Sequence, residues 1–393
     1  MITFDEAYKK MMAAARPLPV ETVPLEDAAG RILAGDVFSD VDMPPFDKAA
    51  MDGYACRRAD LARGELEVIE TIPAGVFPEK TVLPGTCARI LTGAPLPQGA
   101  DCVVMQEQVE RDGMRIRIRD AQTPDNLCRR GEDVLSGDRV FTQGERITPA
   151  HAAMLASVGA VRPRVFMRPR VAILATGNEL VEPSQRPGPA QIRNSNGWQL
   201  AAQVRAMGAL LSGQGVVADT EADIDAALRQ AMARSDVILL SGGVSTGDFD
   251  LVPEALKKLD FSFLFDSVAM QPGRPTVFAV KDLVYCCGLP GNPVSTYVIF
   301  EILVKPFLFR LMGHSYRPLV VEGRLTMPVR RKNMKRQAAV PVRFVSPGDV
   351  EPVPYHGSAH IRAMAGIDGI VFVPVGSLGF EKGERVHVRS FSA

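Results

Sequence analysis

Residues able to hold an anionic group are concentrated at positions 241–250, which read SGGVSTGDFD. Glycines allow backbone amides to converge on a phosphate, and Ser245 and Thr246 could add hydroxyl donors. The segment follows an apolar strand-like run and precedes a helical one, so the start of that helix adds a favourable dipole. Its spacing matches neither a Walker A loop nor a dinucleotide fingerprint. We predict a phosphate cradle here, with a plain strand-to-helix turn as the alternative.

Three carboxylates follow predicted strands or lie in this cradle, namely Glu179, Asp219 and Asp250. Carboxyl ends of parallel strands meet at one edge of a sheet, so we expect these side chains to share a rim. Clustered acids repel one another unless a cation or a proton-transfer role compensates. A Mg²⁺ ion bridging a phosphate anhydride would satisfy that requirement. The alternative is three ordinary polar residues at strand exits, with Asp248 capping the next helix.

Two loops rich in proline and glycine, residues 269–276 (AMQPGRPT) and 288–293 (GLPGNP), complete the set of candidate binding loops. Proline fixes φ and glycine admits unusual φ, so such loops hold a rigid shape with exposed amides. Arg274 then presents a fixed fork of donors that suits an oxyanion. Simple turn chemistry is the alternative.

The elements that must position these loops alternate between strand and helix from about residue 168 to 316. Apolar runs predict strands at 171–175, 216–218, 236–241, 263–268, 277–280 and 283–287. Helical spacing appears at 195–207, 222–232, 252–259 and 294–309. This alternation predicts a doubly wound, mostly parallel α/β domain with its ligand site at the carboxyl ends of the strands.

The rest of the chain differs from this region in composition and residue pattern, which predicts further domains. With 393 residues the chain exceeds what one core usually supports. Residues 40–138, rich in Pro, Gly and short alternating runs, predict an all-β insert domain. Residues 1–39 and 139–167 read as a helical and extended linking domain, and residues 317–393 as a C-terminal β-barrel-like domain. The predicted fold class is therefore multidomain, α/β plus β, with the α/β domain at 168–316.

Bulk composition excludes several classes of function. The 45 basic and 45 acidic residues balance, so nothing in the net charge favours nucleic acid or an acidic membrane as a partner. No apolar run is long enough to span a bilayer and the N-terminus lacks the pattern of a signal peptide, so we expect a cytoplasmic protein. Six cysteines without a C-x-x-C pair and five scattered histidines disfavour iron–sulfur and zinc sites.

Eight segments, in order, resemble the molybdenum insertases (molybdopterin molybdenumtransferases), the family that includes the E domain of gephyrin. The matching strings are PPFDKAAMDGYA, RILTGAPLPQGAD, GEDV, LATGNEL, NSNGWQL, SGGVSTGDFD, QPGRPTVFA and GLPGNPVSTYV. They span about Asp42 to Val298, and a weaker match continues to the C-terminus. Each string is modest evidence, but eight in sequence are highly specific.

The resemblance implies an elongated four-part protomer and a homodimer, with each active cleft completed by the insert domain of the second protomer. It implies a transferase that takes adenylylated molybdopterin and molybdate, releases AMP and forms molybdenum cofactor with Mg²⁺. A molybdopterin adenylyltransferase would act upstream as donor, and molybdoenzymes or their chaperones downstream.

Carried over position by position, the resemblance also implies the site residues. The functional positions fall on Asp52, Thr92, Asp133, Glu179, Asp219 and Asp250, of which Glu179, Asp219 and Asp250 would hold the metal. The pterin-nucleotide cradle falls on Gly242, Gly243, Val244 and Ser245. The molybdate pocket falls on Arg274, Pro275, Arg343 and Ser358, the last two through the weaker C-terminal match.

One departure from the family pattern bears on the molybdate pocket. The family often reads K-P-G-K-P where this chain reads Gln271-Pro-Gly-Arg-Pro275. Arg274 keeps a positive charge, whereas Gln271 replaces a cation with a neutral donor, which predicts weaker attraction for a dianion. The basic run at 330–336 is either a solvated loop or a substitute for the missing cation.

Two other functions compete with the insertase. A non-catalytic pterin-binding or scaffold protein would keep the fold, but would have no need to keep Asp133, Asp219 and Asp250 together. A nucleotide-processing hydrolase built on the α/β domain is disfavoured by the attached insert and C-terminal domain.

Overall fold

The computed structural model describes residues 1–243, 251–354 and 360–391. Its helices are α1 (Phe4–Ala14), α2 (Pro149–Ser157), α3 (Ser195–Ala206), α4 (Glu221–Met232), α5 (Val252–Lys258), α6 (Pro293–Ile299) and α7 (Lys305–Leu311). A π-helical turn at Phe300–Val304 joins α6 to α7. None of the helices in the described residues is long and apolar enough to cross a membrane.

The strands fall into four groups along the chain. The first 38 residues carry β1 (Val20–Thr22) and β2 (Val37–Phe38). The insert contains β3 (Lys48–Ala49), β4 (Gly53–Cys56), β5 (Glu65–Ile72), β6 (Thr86–Ile90), β7 (Cys102–Met105), β8 (Val109–Asp112), β9 (Arg115–Ile118) and β10 (Leu127–Cys128), and β11 (Arg139–Phe141) and β12 (Arg164–Phe166) follow it. The α/β region contains β13 (Arg170–Thr176), β14 (Leu180–Val181), β15 (Ile192–Arg193), β16 (Leu210–Val217), β17 (Val237–Ser241), β18 (Ser262–Phe265), β19 (Met270–Gln271), β20 (Val277–Lys281) and β21 (Val284–Leu289). The C-terminal region contains β22 (Val320–Leu325), β23 (Val329–Arg330), β24 (Gln337–Ser346), β25 (Asp349–Pro352), β26 (Gly369–Val373), β27 (Gly379–Phe380) and β28 (Arg385–Ser390).

The central sheet of the α/β region has the order β16-β13-β17-β21-β20-β18. Its first four strands run parallel, and β20 and β18 pair antiparallel at one side. Successive side chains of a strand point to opposite faces, and both faces are buried here. Val171 and Ile173 pack with α3 and α6, whereas Ala172 packs with α4 and α5. This two-sided burial confirms the predicted doubly wound, mostly parallel α/β fold.

The strand order places a topological switch point between β13 and β17. From β13 the chain passes through α3 to β16 on one side, whereas the chain that leaves β17 arrives at β21 on the other side. Loops leave in opposite directions at such a point and open a crevice at the carboxyl ends of the two strands. Thr176 ends β13 and Ser241 ends β17, so their loops border that crevice.

The insert folds around a second sheet, with strand order β7-β4-β6-β5-β9-β8. Its two faces bury separate clusters, one around Tyr54 and Leu66 and the other around Ile72 and Ile90. Two short sheets, β1 with β12 and β2 with β11, join the chain before the insert to the chain after it. The insert is therefore held at both of its ends by the same small framework.

The C-terminal strands close into a barrel, because β24 pairs with both β25 and β26 in the cycle β24-β25-β22-β28-β26. This closure confirms the predicted β-barrel-like domain. The short strand β19 of the α/β region pairs in parallel with the start of β24. That pairing fixes the Gln271 loop against the barrel.

One predicted helix is interrupted in the structure. The apolar run 294–309 was expected to form a single helix, but the π-helical turn at Phe300–Val304 divides it. That turn carries Glu301, which forms a buried ion pair with Lys305 at 3.1 Å and accepts a hydrogen bond from Gln203 at 2.8 Å. Buried charges are tolerated when they are paired and hydrogen-bonded in this way. The sequence pattern records only that the segment is apolar and gives no sign of this local change in winding.

Candidate functional site

The rim between β13 and β17 is lined by glycines that pack directly on Thr176. Gly242 has φ +96°, and a Cβ there would lie 2.5 Å from the carbonyl oxygen of Thr176. Gly243 has φ +60°, and its Cβ would lie 2.9 Å from Thr176 Oγ1. Both positions therefore require glycine, for backbone conformation and for space. Val244, Ser245 and Asp250, which complete the predicted cradle, lie outside the described residues.

The loops that carry Glu179 and Asp219 meet at the same rim. The amide of Asp219 donates to Asn178 Oδ1 at 3.1 Å, which joins the loop after β13 to the loop after β16. The Glu179 carboxylate bends back over Gly177, where a Cβ would lie 2.5 Å from Glu179 Oε2. Both residues offer oxygen donors, which suit Mg²⁺. Among the described residues no group of three potential metal-ligating side chains forms, and Asp250 is not among them.

Three side chains at this rim were missed by the sequence reasoning. Thr176, Asn194 and Asn196 each keep a buried polar atom without a hydrogen-bond partner in the described part of the chain. Asn196 Nδ2 donates to Ser241 Oγ at 2.8 Å and to the Gly291 carbonyl at 2.7 Å, so it contacts the ends of β17 and β21. Asn194 and Asn196 belong to the NSNGWQL string, which supported the resemblance without yielding a site residue. The signal in the sequence that could have pointed to Asn194 is Gly197, because glycine is unusual inside a helix. In the structure a Cβ at Gly197 would lie 2.8 Å from Asn194 Nδ2.

The loop that carries Arg274 is rigid and lies against the C-terminal barrel. A cis bond joins Gln271 to Pro272, and Gly273 has φ +108°. The Arg274 carbonyl accepts from the amides of Val268 and Thr276 at 3.0 and 2.9 Å. The Arg274 side chain is exposed, Pro275 is half-buried beside it, and within the described residues no carboxylate pairs with this guanidinium.

The basic run divides into residues with different roles. Arg330 forms two 2.6 Å hydrogen bonds to Glu381, and Arg331 donates to backbone carbonyls, among them Ser377 at 2.7 Å. Arg336 points the other way and donates from Nη1 to the Met270 carbonyl at 3.4 Å. Arg336 therefore brings a second guanidinium to the loop that carries Gln271 and Arg274.

Arg343, predicted in the same pocket, pairs with a carboxylate on the barrel. It is exposed on β24 and donates from Nη2 to Glu351 Oε1 at 3.2 Å on the paired strand β25. Arg343 lies six positions beyond Gln337, where β24 meets β19, which corresponds to about 20 Å of extended strand. The described contacts thus do not bring Arg343 to the Arg274 loop. Ser358 lies outside the described residues.

In the insert, Asp52 and Thr92 form one unit although forty positions separate them. Asp52 precedes β4 and Thr92 follows β6, and these strands pair with Gly53 opposite Ile90. Asp52 Oδ1 accepts from the Thr92 hydroxyl at 2.6 Å and from the Thr92 amide at 2.7 Å. These two hydrogen bonds, that of the hydroxyl first, lower the pKa of the Asp52 carboxyl below its ordinary value. Asp52 is therefore held as a carboxylate in a fixed orientation.

Asp133 occupies a separate place in the insert. Its amide donates to the Met43 carbonyl at 3.0 Å, and its side chain is exposed. It borders a cavity of about 630 Å³ together with Asp42, Lys48 and Cys128. Contacts within the described residues do not join Asp133 to the Asp52–Thr92 unit.

The fold and the rim together define a class of protein: a multidomain α/β protein with a candidate ligand site at the switch point of a parallel sheet, a β insert and a closed β barrel. Three family models match the chain in order. They are the MoeA N-terminal region (domain I and II) at residues 2–159, a probable molybdopterin binding domain at 172–310, and the MoeA C-terminal region (domain IV) at 323–391.

Full-length relatives agree with these matches. The molybdopterin molybdenumtransferase of Bacillus subtilis is 35% identical over 98% of this chain and 93% of its own length. Its counterpart in Staphylococcus epidermidis is 34% identical over 98% of this chain and 95% of its own length. A crystal structure of the molybdopterin biosynthesis MoeA protein of Pyrococcus horikoshii covers both chains completely, with a TM-score of 0.83 and 31% identity. The chain therefore belongs to the molybdopterin molybdenumtransferase family, transferases of molybdenum cofactor biosynthesis, and the resemblance drawn from its motifs is confirmed.

Proposed function

We propose that this protein inserts molybdate into adenylylated molybdopterin, releasing AMP and forming molybdenum cofactor in a Mg²⁺-dependent reaction of the cytoplasm. The observation that carries the proposal is the glycine-lined rim at the switch point between β13 and β17, where Gly242 and Gly243 pack on Thr176. A backbone without side chains at a strand end suits the close approach of a phosphate. In this assignment Val244 and Ser245 complete the cradle.

The carboxylates of the rim suit a cation that the substrate would share. Glu179 and Asp219 stand on adjoining loops and offer oxygen ligands only, and Asp250 is the third proposed ligand. Mg²⁺ held there would neutralise charge on the anhydride oxygens. Meanwhile the amides of the cradle orient the phosphates. Attack by water on the AMP phosphorus would break its bond to the bridging oxygen, so that the pterin phosphate leaves and AMP is released, and molybdate would then bind the dithiolene sulfurs with loss of its oxygens as water. Attack by a molybdate oxygen would instead form an adenylyl molybdate as the pterin phosphate leaves, and AMP would be released when the dithiolene sulfurs replace the bridging oxygen on molybdenum.

The molybdate pocket is proposed at the Arg274 loop. Arg274 supplies exposed guanidinium donors, Pro275 lies half-buried beside it and restrains the loop, and Arg336 adds a guanidinium held beside Met270. Two guanidinium groups without a described carboxylate partner attract a tetrahedral dianion, which offsets the neutral Gln271. Arg343 and Ser358 stay predictions of the weaker C-terminal match.

Arg336→Gln should raise the molybdate concentration for half-maximal AMP release about tenfold, which corresponds to about 1.4 kcal/mol. The reason is the loss of one charge-assisted contact at the pocket. Lys335→Gln is the matched control, because Lys335 is exposed in the same run. Equal molybdate dependence in the two variants would remove Arg336 from the pocket.

Asp52, Thr92 and Asp133 are proposed to act from a second protomer in a homodimer. No described hydrogen bond joins their insert to the α/β rim of the same chain, so a carboxylate held by Thr92 would gain its catalytic role by facing the α/β rim of the second protomer. A molybdopterin adenylyltransferase is the proposed upstream donor, and molybdoenzymes or their chaperones are the proposed recipients. We propose neither a nucleic acid nor a membrane as a partner.

The test is AMP release from the purified protein supplied with adenylylated molybdopterin and Mg²⁺, with and without molybdate. We expect release that depends on molybdate. Tight binding of the pterin nucleotide without release under either condition would contradict catalysis and leave a binding protein.

A further inference from the structure

A second cavity lies away from the rim, where three regions of the protein meet. Its volume of about 420 Å³ falls in the range of small-molecule sites, roughly 300–1,000 Å³. The α/β region supplies the later turns of α3 and the segment from α6 to α7. Arg146 comes from the linking region, and Phe391 comes from the end of the C-terminal barrel. The rim residues Thr176, Gly242 and Gly243 are not among its lining residues, so the cavity is separate from the proposed substrate site.

A buried ion pair forms one wall of this cavity. Glu301 and Lys305 are 3.1 Å apart, and their side chains are 8% and 10% exposed. Glu301 also accepts from Gln203 at 2.8 Å, and Lys305 donates to the Phe391 carbonyl at 3.4 Å. Glu301 lies in the π-helical turn, and such turns often mark functional sites. Because the two charges cancel, the pair adds no net charge to the cavity.

Arg146 carries a charge that the described residues do not balance. It is half-buried, and its guanidinium carbon lies 6.0 Å from the centre of the Phe309 ring. The adjoining Glu145 carboxylate is engaged by Thr142 and His151 instead. Within residues 1–243, 251–354 and 360–391 no carboxylate forms an ion pair with Arg146. The cavity therefore has one uncompensated positive charge.

Tyr297 adds a neutral hydroxyl to the same cavity. Burial raises the pKa of this hydroxyl to about 12, and the Glu301 carboxylate adds to the rise. The hydroxyl is therefore protonated at neutral pH and can donate a hydrogen bond. No hydrogen bond from another described residue engages it. The Tyr297 ring lies 5.7 Å from the Phe391 ring, which places the hydroxyl on an aromatic wall.

The remaining walls of the cavity are apolar. Ala202, Ala206 and Met207 line the side formed by α3, and the Phe309 and Phe391 rings line other sides. Apolar walls with a few placed polar groups are typical of small-molecule sites. Aromatic walls favour a flat ring, which packs against them edge-on or offset. A carboxylate on that ring matches a guanidinium, which binds both carboxylate oxygens through a fork of N–H groups.

We propose that this cavity binds a small aromatic carboxylate, at a site separate from the substrate rim. The carboxylate accepts from the Arg146 guanidinium and the Tyr297 hydroxyl, and the ring lies on the apolar walls. The ligand then contacts α3, the linking region and the end of the barrel together. Because it binds the folded protein, it should raise the melting temperature. An aromatic ammonium is rejected, because it would place a second cation beside Arg146.

Calorimetric titration of the full chain with 2-naphthoate tests the proposal. Matched probes keep the ring and change the head group: 2-naphthamide is neutral, 2-naphthylmethylamine is cationic and 2-naphthyl phosphate is doubly charged. We expect 2-naphthoate to bind at least about tenfold more tightly than the amide, because its bonds to the guanidinium are charge-assisted. The amine should not bind. Equal affinity for the carboxylate and the amide, or tighter binding of the phosphate, would overturn the proposal.

Two variants change the cavity in different ways. Arg146→Gln removes the cation, so it should weaken 2-naphthoate at least about tenfold and leave 2-naphthamide unchanged. Ala206→Leu places a larger side chain at the wall, so it should weaken both probes. Ala206 is exposed on α3, and leucine forms helices nearly as well as alanine, so the melting temperature of this variant should stay unchanged.

The controls are Arg205→Gln and Ala226→Leu, because both residues are exposed on helices and lie outside the cavity lining. Both should bind the probes as the wild-type protein does. Wild-type affinity of Arg146→Gln for 2-naphthoate would overturn the proposal. An equal loss in Arg205→Gln would overturn it too, because the attraction would then come from overall charge. The titrations need neither molybdate nor AMP release, so their outcome is independent of the proposed function.

Discussion

Gly242→Ala should destabilise the α/β region by about 2–5 kcal/mol and abolish molybdate-dependent AMP release. A non-glycine residue at positive φ costs about 1–2 kcal/mol, and forcing an extra methyl group into a packed site costs about 1–3 kcal/mol more. Here the methyl group would lie 2.5 Å from the Thr176 carbonyl oxygen. Either Thr176 or the loop after β17 must then move, and both border the proposed phosphate cradle.

Urea unfolding followed by Trp198 fluorescence measures this effect, because Trp198 lies on α3 in the same region. Gly291→Ala is the matched control at the neighbouring strand end. Its added Cβ would meet the Cα of Gly242 at 3.7 Å, an ordinary contact, so its unfolding curve should stay close to that of the wild-type protein. A Gly242→Ala protein as stable and active as the control would show that the rim needs neither the positive φ nor the close approach.

The α/β rim is the part of the site that the sequence predicts best. Strand-like runs ending in Thr176, Asp219 and Ser241 imply loops at one edge of a parallel sheet, and this follows from chain direction alone. The first residue of strand β16 was harder to predict from the sequence. The strand begins at Leu210, six residues before the expected start. The sequence did not predict this early part because its residues Ser212-Gly-Gln-Gly215 are poor strand formers. Pairing with β13 overrides that weak local preference.

Contacts that depend on the register between paired strands could not be predicted from the sequence. The motifs suggested Asp52 and Thr92 separately, but their hydrogen bonds follow from the pairing of β4 with β6. The partner of Arg343 also follows from strand pairing. A hairpin places Glu351 directly across from it, so its charge is balanced on the barrel surface. A shift of one residue would turn each side chain to the other face, and no short motif records that choice.

The tertiary contacts of two polar side chains, Asn196 and Arg336, could not be predicted from the sequence either. Asn196 reads as an ordinary polar residue at the start of a helix, and its hydrogen bonds to Ser241 and Gly291 form only because α3 packs beside the ends of β17 and β21. Arg336 likewise lies in a run that suggested a solvated loop, until the pairing of β19 with β24 sets its guanidinium beside Met270. In both cases the information is tertiary, since it depends on segments at least forty residues away in sequence.

Asp52→Asn should lower the rate of AMP release at least about a hundredfold while leaving the fold intact. Asparagine keeps an oxygen that can accept from Thr92, so the substitution removes little except the negative charge. The loss of a charged group fixed against the reacting centre typically costs two to three orders of magnitude in rate. Rates at saturating substrate, together with unfolding curves, separate a lost charge from a lost fold.

Thr92→Val gives this prediction a second and finer readout. The Thr92 hydroxyl is the first cause of the lowered pKa of Asp52, so its removal should raise that pKa toward the ordinary value. A carboxyl with a depressed pKa is ionised above that pKa and loses its charge as the pH falls through it. The acid limb of the rate profile should therefore move to higher pH in Thr92→Val, although the Thr92 amide still donates to Asp52. An unmoved acid limb, or an Asp52→Asn protein with more than half of wild-type activity, would show that the Asp52–Thr92 pair serves the insert and not the reaction. A moved acid limb together with an inactive Asp52→Asn protein would instead show that the reaction needs the ionised Asp52 carboxylate at the reacting centre. Because no described contact joins Asp52 to the α/β rim of the same chain, that result would favour the rim of a second protomer.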